Sequence, residues 1–315
     1  MARFSLIKEN TKIDFIGNRL VAFAVSILLL LVGGAAIAVK GLNFGIDFTG
    51  GVMIEVQAKQ ALDVAALRGK LAELNLGEVQ LQNFGGANGL LIRVQPSGNA
   101  ADRDQAAVLR VKEALGSALD YRRVEAVGPA ISAELLRDGI IATVLAVLVI
   151  ALYVWFRFEW QFGVSALIAT GHDVLATLGL FAVLGLEFNI AAVAALLTVA
   201  GYSINDTVVV FDRIRENLRK YRRDPIAEII NRSVNETLSR TIRTSGTTLI
   251  AVLALMIFGG HVILNFSAAM FFGVLIGTFS SIYVAAALLL YMPALKALRQ
   301  SAEARENVAP AKADG

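Results

Sequence analysis

A single acidic residue stands in the apolar run 188–211, FNIAAVAALLTVAGYSINDTVVVF. Asp206 is its only acidic or basic residue, between Asn205 and Thr207. About 20 apolar residues at ~1.5 Å rise cross the hydrocarbon, so this run is long enough to span a membrane. A charge at the centre of a span costs roughly 3 kcal/mol, so a carboxyl there is protonated, paired or open to water inside a bundle. Each state lets the carboxyl bind and release a proton. The alternative is an interfacial residue with no transport role, because Asp212 follows only ~8 Å further along a helix.

A second acid lies in the apolar run 162–186, where Asp173 follows His172. The pair does not predict a metal site, because adjacent side chains on a helix diverge by about 100° and no further ligands accompany them. Two roles for His172 and Asp173 stay open: a secondary proton relay and a structural hydrogen bond.

The composition indicates a membrane protein. Of 315 residues, 56% are hydrophobic and only 17% are charged, whereas soluble domains average about 25% charged. There is no cysteine, which excludes disulfides and thiolate metal sites. The net charge is +3, and its basic excess is local, which favours membrane topology over nucleic-acid binding. No cofactor and no metal are predicted.

Six apolar segments are predicted to be transmembrane helices. They are 20–39, 139–156, 162–186, 188–211, 246–264 and 266–292. The first could be mistaken for a signal peptide, but its apolar run is too long for a typical one, so an uncleaved span is favoured.

The distribution of Lys and Arg predicts the orientation of the chain. The segment between spans four and five, 212–245, contains nine Lys and Arg residues, and the short loops on the other side, around Glu187 and His261, have none. The positive-inside rule therefore predicts a cytoplasmic loop at 212–245, a cytoplasmic N-terminus at 1–19 and a cytoplasmic, disordered tail at 293–315. Residues 40–138 then face the periplasm, with spans two to six in 139–292. The predicted location is the bacterial inner membrane.

The segment 40–138 is predicted to be a small α+β domain. Strand patterns at 52–56, 79–82, 90–94 and 122–127 alternate with helical patterns that start near residues 63 and 102. This β-α-β-β-α-β order is that of the ferredoxin-like fold.

A glycine-rich turn leads into the first strand of this domain. It contains Gly45, Asp47, Gly50 and Gly51. A phosphate site is disfavoured, because no Lys follows the glycines and no helix N-terminus is predicted to receive an anion. A tight turn that needs positive φ is favoured instead. No nucleotide-hydrolysis motif is found, so the chain is not predicted to be a hydrolytic enzyme.

Arg240 is the best candidate for a cation that acts on Asp206. Thr237 and Thr244 lie three residues before and four residues after it, so the three share a helical face. The helix of span five is therefore expected to begin before its apolar run. Ser203, Asn205 and Thr244 are predicted to form a polar cluster that supports Asp206 and Arg240.

Three motifs together resemble the SecD/SecF family of the bacterial Sec protein-export machinery, and its SecF branch in particular. They are LNFGIDFTGG at 42–51, GYSINDTVVVFDRIREN at 201–217 and SRTIRTSGTTL at 239–249. The resemblance extends over nearly the whole chain and includes six spans with one large loop after the first. It implies half of a resistance-nodulation-division transporter. The intramembrane Asp and Arg of the family fall on Asp206 and Arg240.

The resemblance also implies partners and a mechanism. The expected partners are SecD, the SecYEG channel, exported unfolded polypeptides, protons and membrane lipids, with no nucleic acid. With SecD, the protein would use the proton gradient to draw exported chains out of the channel. One alternative is half of a small-molecule or lipid exporter, which predicts twelve spans and larger periplasmic domains. A purely structural assembly factor would leave Asp206 unexplained. Proton and sodium ion both stay open, because carboxylates bind either.

Overall fold

The chain contains six helices that are long and apolar enough to cross a membrane, which confirms the prediction of a polytopic helical membrane protein. The computed structural model describes residues 11–60, 62–83, 88–95, 101–116 and 119–292, so the tail predicted at 293–315 lies outside the described residues. The first five of these helices are α1 (Arg19–Lys40), α5 (Pro129–Arg157), α6 (Trp160–Leu184), α7 (Ile190–Lys220) and α8 (Ile226–Phe258).

The sixth transmembrane segment is a chain of helices of different pitch. An α-helix, α9 (Gly260–Phe279), continues into a π-helical segment, Ser280–Ala285, and then into α10 (Ala286–Leu288) and a 3₁₀ turn, Leu289–Tyr291. The π-helical segment holds an extra residue per turn, which changes the direction of the side chains that follow it.

Several helices extend beyond their apolar runs. Helix α5 begins ten residues before the predicted start at 139, and α7 continues nine residues past 211. The prediction of a loop at 212–245 is wrong as secondary structure, because only the short connection after Lys220 and before Ile226 is non-helical. The expectation that the helix of span five begins before its apolar run is confirmed.

The chain divides into two compact units. The helical unit contains the residues up to Leu42, Val144–Leu186 and the residues from Ala194 onward. Its core is apolar and includes Phe158, Phe162 and Phe211, whose ring centroids lie 5.2–6.1 Å apart. Helices α1 and α6 cross at two glycines, where a Cβ on Gly33 would lie 2.9 Å from the Cα of Gly179.

The second unit contains Asn43–Thr143 together with Glu187–Val193. Its elements are β1 (Asn43–Phe44), α2 (Ile46–Thr49), β2 (Gly51–Gln57), α3 (Val64–Ala72), β3 (Glu78–Asn83), β4 (Gly89–Gln95), α4 (Ala101–Leu115), β5 (Asp120–Val127) and β6 (Glu187–Phe188). Strands β2 to β5 form an antiparallel sheet in the order β3-β4-β2-β5, and β1 pairs with β6 in parallel.

The larger sheet is built around its two central strands. Val52, Ile54 and Val56 of β2 pack with alternate residues of β4 and with side chains of α3 and α4 in one apolar cluster. Helix α3 begins where Asp63 accepts hydrogen bonds from the N–H groups of Ala65 and Ala66, each at 3.0 Å. This is the N-cap that satisfies otherwise unpaired helix donors.

Candidate functional site

Asp206 is buried inside the helical unit, with 4% of its surface exposed. Its Oδ1 accepts a hydrogen bond from Thr241 Oγ1 of α8 at 3.0 Å. Its Oδ2 is also buried and has no hydrogen-bond partner among the described residues. One oxygen of the carboxyl is therefore fixed to the neighbouring helix, and the other is free to bind a proton or cation.

Thr241 contacts Asp206 but was not among the residues predicted from the sequence. It belongs to a stripe of buried hydroxyl residues spaced by four along α8, namely Ser233, Thr237, Thr241 and Ser245. Residues at this spacing lie on one helical face. This four-residue spacing is the sequence pattern that indicates Thr241. Arg240 is the preceding residue and lies on a different face of α8.

Arg240 is exposed on α8. No ion pair joins it to Asp206 within the described part of the chain, although it is near enough to interact with the carboxyl electrostatically. Of the other residues predicted to support Asp206, Asn205 and Thr244 are exposed. Thr244 donates its hydroxyl to carbonyl groups of its own helix, including that of Thr241 at 2.9 Å. The structure therefore brings Thr241 to Asp206 rather than the predicted cluster.

Asp173 forms a second polar centre, and its side chain is fully buried. Its Oδ2 accepts hydrogen bonds from Ser203 Oγ at 2.5 Å and Ser280 Oγ at 2.6 Å. Its Oδ1 lies 2.9 Å from His172 Nδ1. The expectation that these adjacent side chains point apart is wrong, because the imidazole turns back onto the carboxyl. His172 Nε2 is buried without a hydrogen-bond partner in the described residues.

The π-helical segment brings its serines to this centre. Ser280 contacts Asp173, and Ser281 Oγ lies 2.8 Å from Thr207 Oγ1 of α7. Close packing requires a glycine nearby, because a Cβ on Gly277 would lie 3.3 Å from Ser203 Cβ. On α7, Ser203 thus contacts Asp173 and Thr207 contacts the π-helical segment, whereas Asp206 contacts α8.

The glycine-rich turn lies in the other unit. Gly50 and Gly51 have φ values of +71° and +105°, as the interpretation of a tight turn expects. A Cβ on Gly51 would also lie 2.5 Å from the carbonyl oxygen of Val94. A four-residue helix, α2, lies within the motif between Gly45 and Gly50, and strand β2 follows the glycines. Asp47 accepts a hydrogen bond from the N–H of Ile190, the first residue of α7, at 3.0 Å.

In the part of the chain that the structure describes, no three His, Asp or Glu residues come together as metal ligands would. The site therefore offers single carboxyls in hydroxyl-rich surroundings, which suit protons and weakly held cations.

Two family matches cover most of this architecture. Residues 108–294 match the family described as protein export membrane protein SecD/SecF, C-terminal, and residues 35–62 match the SecD/SecF GG motif. The chain belongs to the SecD/SecF family. Asp173, Asp206 and Arg240 lie in the first match, and the glycine-rich turn with Asp47 is the GG motif of the second.

Relatives with this family's architecture are similar over almost their full length. The protein translocase subunit SecF of Rickettsia akari (strain Hartford) is 46% identical over 286 residues, which cover 90% of this chain and 93% of the relative. The subunit of the same name from Cereibacter sphaeroides is 45% identical and covers 92% of each chain. The crystal structure of SecDF, a translocon-associated membrane protein from Thermus thermophilus, superposes with a TM-score of 0.82 at 40% identity. That match covers 91% of this chain and 39% of the SecDF chain, so this chain spans about two fifths of the length of SecDF.

Proposed function

We propose that this chain is a subunit of the bacterial Sec protein-export machinery that uses the proton gradient, together with a SecD-like partner, to complete translocation across the inner membrane. The observation that carries the proposal is the buried Asp206 carboxyl, with one oxygen bound to Thr241 and the other unpaired. The names of the relatives, which are translocase subunits, favour export of proteins over export of small molecules or lipids.

The carboxyl of Asp206 has the properties of a group that binds and releases a proton. A buried acceptor without a partner costs about 1–3 kcal/mol, and more if it is charged. A proton on Oδ2 neutralises the carboxyl and so lowers that cost, and the hydrogen bond from Thr241 on Oδ1 is compatible with either protonation state. A movement of α7 against α8 that opens Asp206 to water, with Arg240 nearby, would favour release of the proton. Alternation between these arrangements converts ion flow into helix movement.

The remaining parts of the proposal concern topology and partners. The sheet unit is a ferredoxin-like domain in the periplasm, supported by its element order and by the sheet order β3-β4-β2-β5. Both termini are cytoplasmic, as the basic residues of 212–245 favour. The SecYEG channel, exported unfolded polypeptides and membrane lipids are the further partners. The energy source is an ion gradient, and no hydrolytic chemistry takes place on this chain.

Substitution of Asp206 tests the ion mechanism. Asp206→Asn keeps the size of the side chain and removes the titrating group, so the protein should insert and assemble but lose the gradient-driven gain in export. The assay is secretion of a reporter into membrane vesicles with and without a proton gradient, and with a sodium gradient as a separate arm. Asn205→Ala, an exposed neighbour on the same helix, is the matched control and should retain the gain. Full retention of the gain in Asp206→Asn would show that the carboxyl has only a structural role.

Thr241 provides a second test at the same site. Thr241→Val removes the hydroxyl donor with little change in shape and leaves both oxygens of Asp206 unpaired, so the gradient-driven gain should fall. Thr241→Ser should keep most of it. Thr244→Val, one turn further along α8 and exposed, should leave the gain unchanged, and an equal effect of the two valine variants would rule out a specific role for Thr241.

A further inference from the structure

The segment that leads into α7 is enclosed by groups from the GG motif. In the parallel pair, Asn43 lies opposite Glu187 and Phe44 lies opposite Phe188. The N–H of Gly45 donates to the carbonyl of Phe188 at 2.8 Å. The pair ends where the Asp47 carboxylate accepts the N–H of Ile190 at 3.0 Å. Backbone groups just before α7 and at its first residue are therefore held by residues far away in the sequence.

A buried arginine joins this strand pair to the larger sheet. Arg93 of β4 is 6% exposed. Its Nη1 donates to Asn43 Oδ1 at 3.1 Å and to the carbonyl of Phe44 at 3.0 Å. Its Nη2 lies 3.3 Å from Glu187 Oε1. The planar guanidinium thus binds β1 and β6 at once, a geometry that its fixed fork of donors allows.

Aromatic packing closes the same region. The rings of Phe44, Phe48 and Phe188 lie with centroids 5.9–6.2 Å apart. Two-residue strands are too short to be stable alone, so the ring cluster, Arg93 and Asp47 are what keep β1 and β6 together. We call the groups that close on 187–190, namely β1, Asp47 and Arg93, the α7 clasp.

The helix held by the clasp is the one that bears Asp206. Helix α7 runs unbroken from Ile190 to Lys220. Asp206 lies 16 residues after Ile190, or roughly 24 Å along the axis. Helix α7 therefore connects the clasp, in the sheet unit, to Asp206, in the helical unit, without a break.

We propose that the α7 clasp couples ion binding at Asp206 to movement of the sheet unit, and that Asp47 and Arg93 are positioning residues of this coupling. The inference rests on the proposed function above. In this role, the clasp stays closed while α7 moves, so the sheet unit follows the helix. Opening the clasp would let Asp206 exchange its ion without moving the domain.

Substitutions of Asp47 and Arg93 test the clasp against matched controls. Asp47→Ala removes the acceptor of the Ile190 N–H at the start of α7, and its control, Asp63→Ala, removes the cap of α3. Arg93→Gln opens the buried arginine contacts, and its control, Arg122→Gln, breaks an exposed ion pair with Asp120. In full-length protein in vesicles, Asp47→Ala and Arg93→Gln should keep gradient-independent export and lose most of the gradient-driven gain. The two controls should keep both activities.

An engineered disulfide separates coupling from misfolding. The chain has no cysteine, and paired positions on neighbouring strands are about 5 Å apart, which a disulfide can bridge. Phe44→Cys with Phe188→Cys should therefore close the clasp covalently in the Asp47→Ala background. Oxidation should restore the gradient-driven gain, and reduction should remove it again. A misfolded variant would not respond reversibly to the reductant.

The outcomes distinguish this inference from the function on which it rests. If the unsubstituted chain shows no gradient-driven gain, both fail. If the unsubstituted chain shows the gain and Asp206→Asn removes it, the proposed function stands. A full gain in Asp47→Ala and Arg93→Gln, or an oxidised disulfide that restores nothing, then overturns the clasp alone.

Discussion

Asp173 and Asp206 are both buried acids, but their carboxyl oxygens have different numbers of hydrogen-bond partners. Asp173 has two hydroxyl donors on Oδ2 and His172 beside Oδ1. Asp206 has one donor and one unpaired oxygen. A carboxyl whose acceptors are all occupied is held in place, whereas one with an unpaired oxygen has a position left for an ion. Of the two roles left open for Asp173 and His172, the structural one is therefore favoured.

Amide substitutions should separate these two roles by their effect on stability. An amide has one acceptor oxygen, whereas both oxygens of Asp173 have partners, so Asp173→Asn leaves a buried group unpaired and should lower the free energy of unfolding by about 1–3 kcal/mol. Asp206→Asn should change it by less than about 1 kcal/mol, because an amide oxygen can still accept from Thr241. Thermal unfolding of the purified protein in detergent measures both. Equal losses in the two variants would contradict the assignment.

Glu187 is a titratable group that the α7 clasp encloses. Burial raises the pKa of its carboxyl above the ordinary 4.5. The positive charges of Arg93 and Arg123 lower this pKa, and the negative charges of Asp47 and Glu125 raise it. A carboxyl with a raised pKa in the folded state contributes stability that is fully present below the ordinary pKa and is lost as pH rises through the raised value. Acidification should therefore stabilise the clasp.

Hydrogen exchange in β1 and β6 should detect this titration. Between pH 4.5, the ordinary value for Glu187, and neutral pH, protection of these amides should fall as pH rises. Glu187→Gln should make protection independent of pH in this window, after correction for the intrinsic exchange rate. Glu78→Gln, on an exposed position of β3, should keep the pH dependence. Protection that rises with pH in the unsubstituted chain would contradict the predicted sign.

The sequence allowed only part of this site to be predicted. Asp206 could be found because an acid in an apolar run is conspicuous, and burial there follows from the length of the run. Thr241 could not be chosen over Thr237 or Thr244, because the position of the π-helical segment and the rotation of α8 decide which hydroxyl meets the carboxyl. Those angles depend on packing between helices and leave no local mark in the sequence.

At the scale of elements, apolar runs predicted the existence of the helices better than their ends. Helix α7 continues through Asp212 to Lys220 because its polar last turns are good helix formers linked by ion pairs, such as Arg213 with Glu216 at 2.6 Å. Hydropathy detects only the part that meets lipid. Strands β1 and β6 were missed for another reason: each has two residues, and neither has a periodic pattern without its partner.

The crossing of α1 and α6 gives a prediction at this scale. A Cβ on Gly179 would lie 2.7 Å from the Cα of Gly33. Because the clash is with backbone, only separation of the helices can relieve it. Gly179→Ala should therefore lower the free energy of unfolding by about 1–3 kcal/mol. Gly171→Ala, on the same helix with open space around it, should have no such cost, and thermal unfolding compares the two variants. Similar melting temperatures would argue against close packing at this crossing.

At the scale of the whole molecule, the transmembrane helices are buried to very different degrees. Half or more of the most apolar window is buried in α6 and in the sixth segment, but only 17% in α1 and in α8 and 11% in α5. Helix α8 also provides Thr241 and carries Arg240. The helix that contributes these polar groups to the proposed ion site is therefore largely exposed along its apolar half. Lipid alone can cover apolar side chains, but polar groups in a span need a protein neighbour. The polar groups of α8 therefore favour this helix as the side that a SecD-like partner covers.

Cysteine cross-linking can decide which helix meets the partner. Ile250 and Ile257 of α8 are 70% and 64% exposed and are seven residues apart, so they share one face. Leu148 of α5, which is 58% exposed, is a matched position on another transmembrane helix. In native membranes, Ile250→Cys and Ile257→Cys should form cross-links to the SecD-like protein, and Leu148→Cys should not. Because the chain has no cysteine of its own, each product reports a single position. Cross-links from Leu148→Cys alone would place the partner on α5 and require a different arrangement around Asp206.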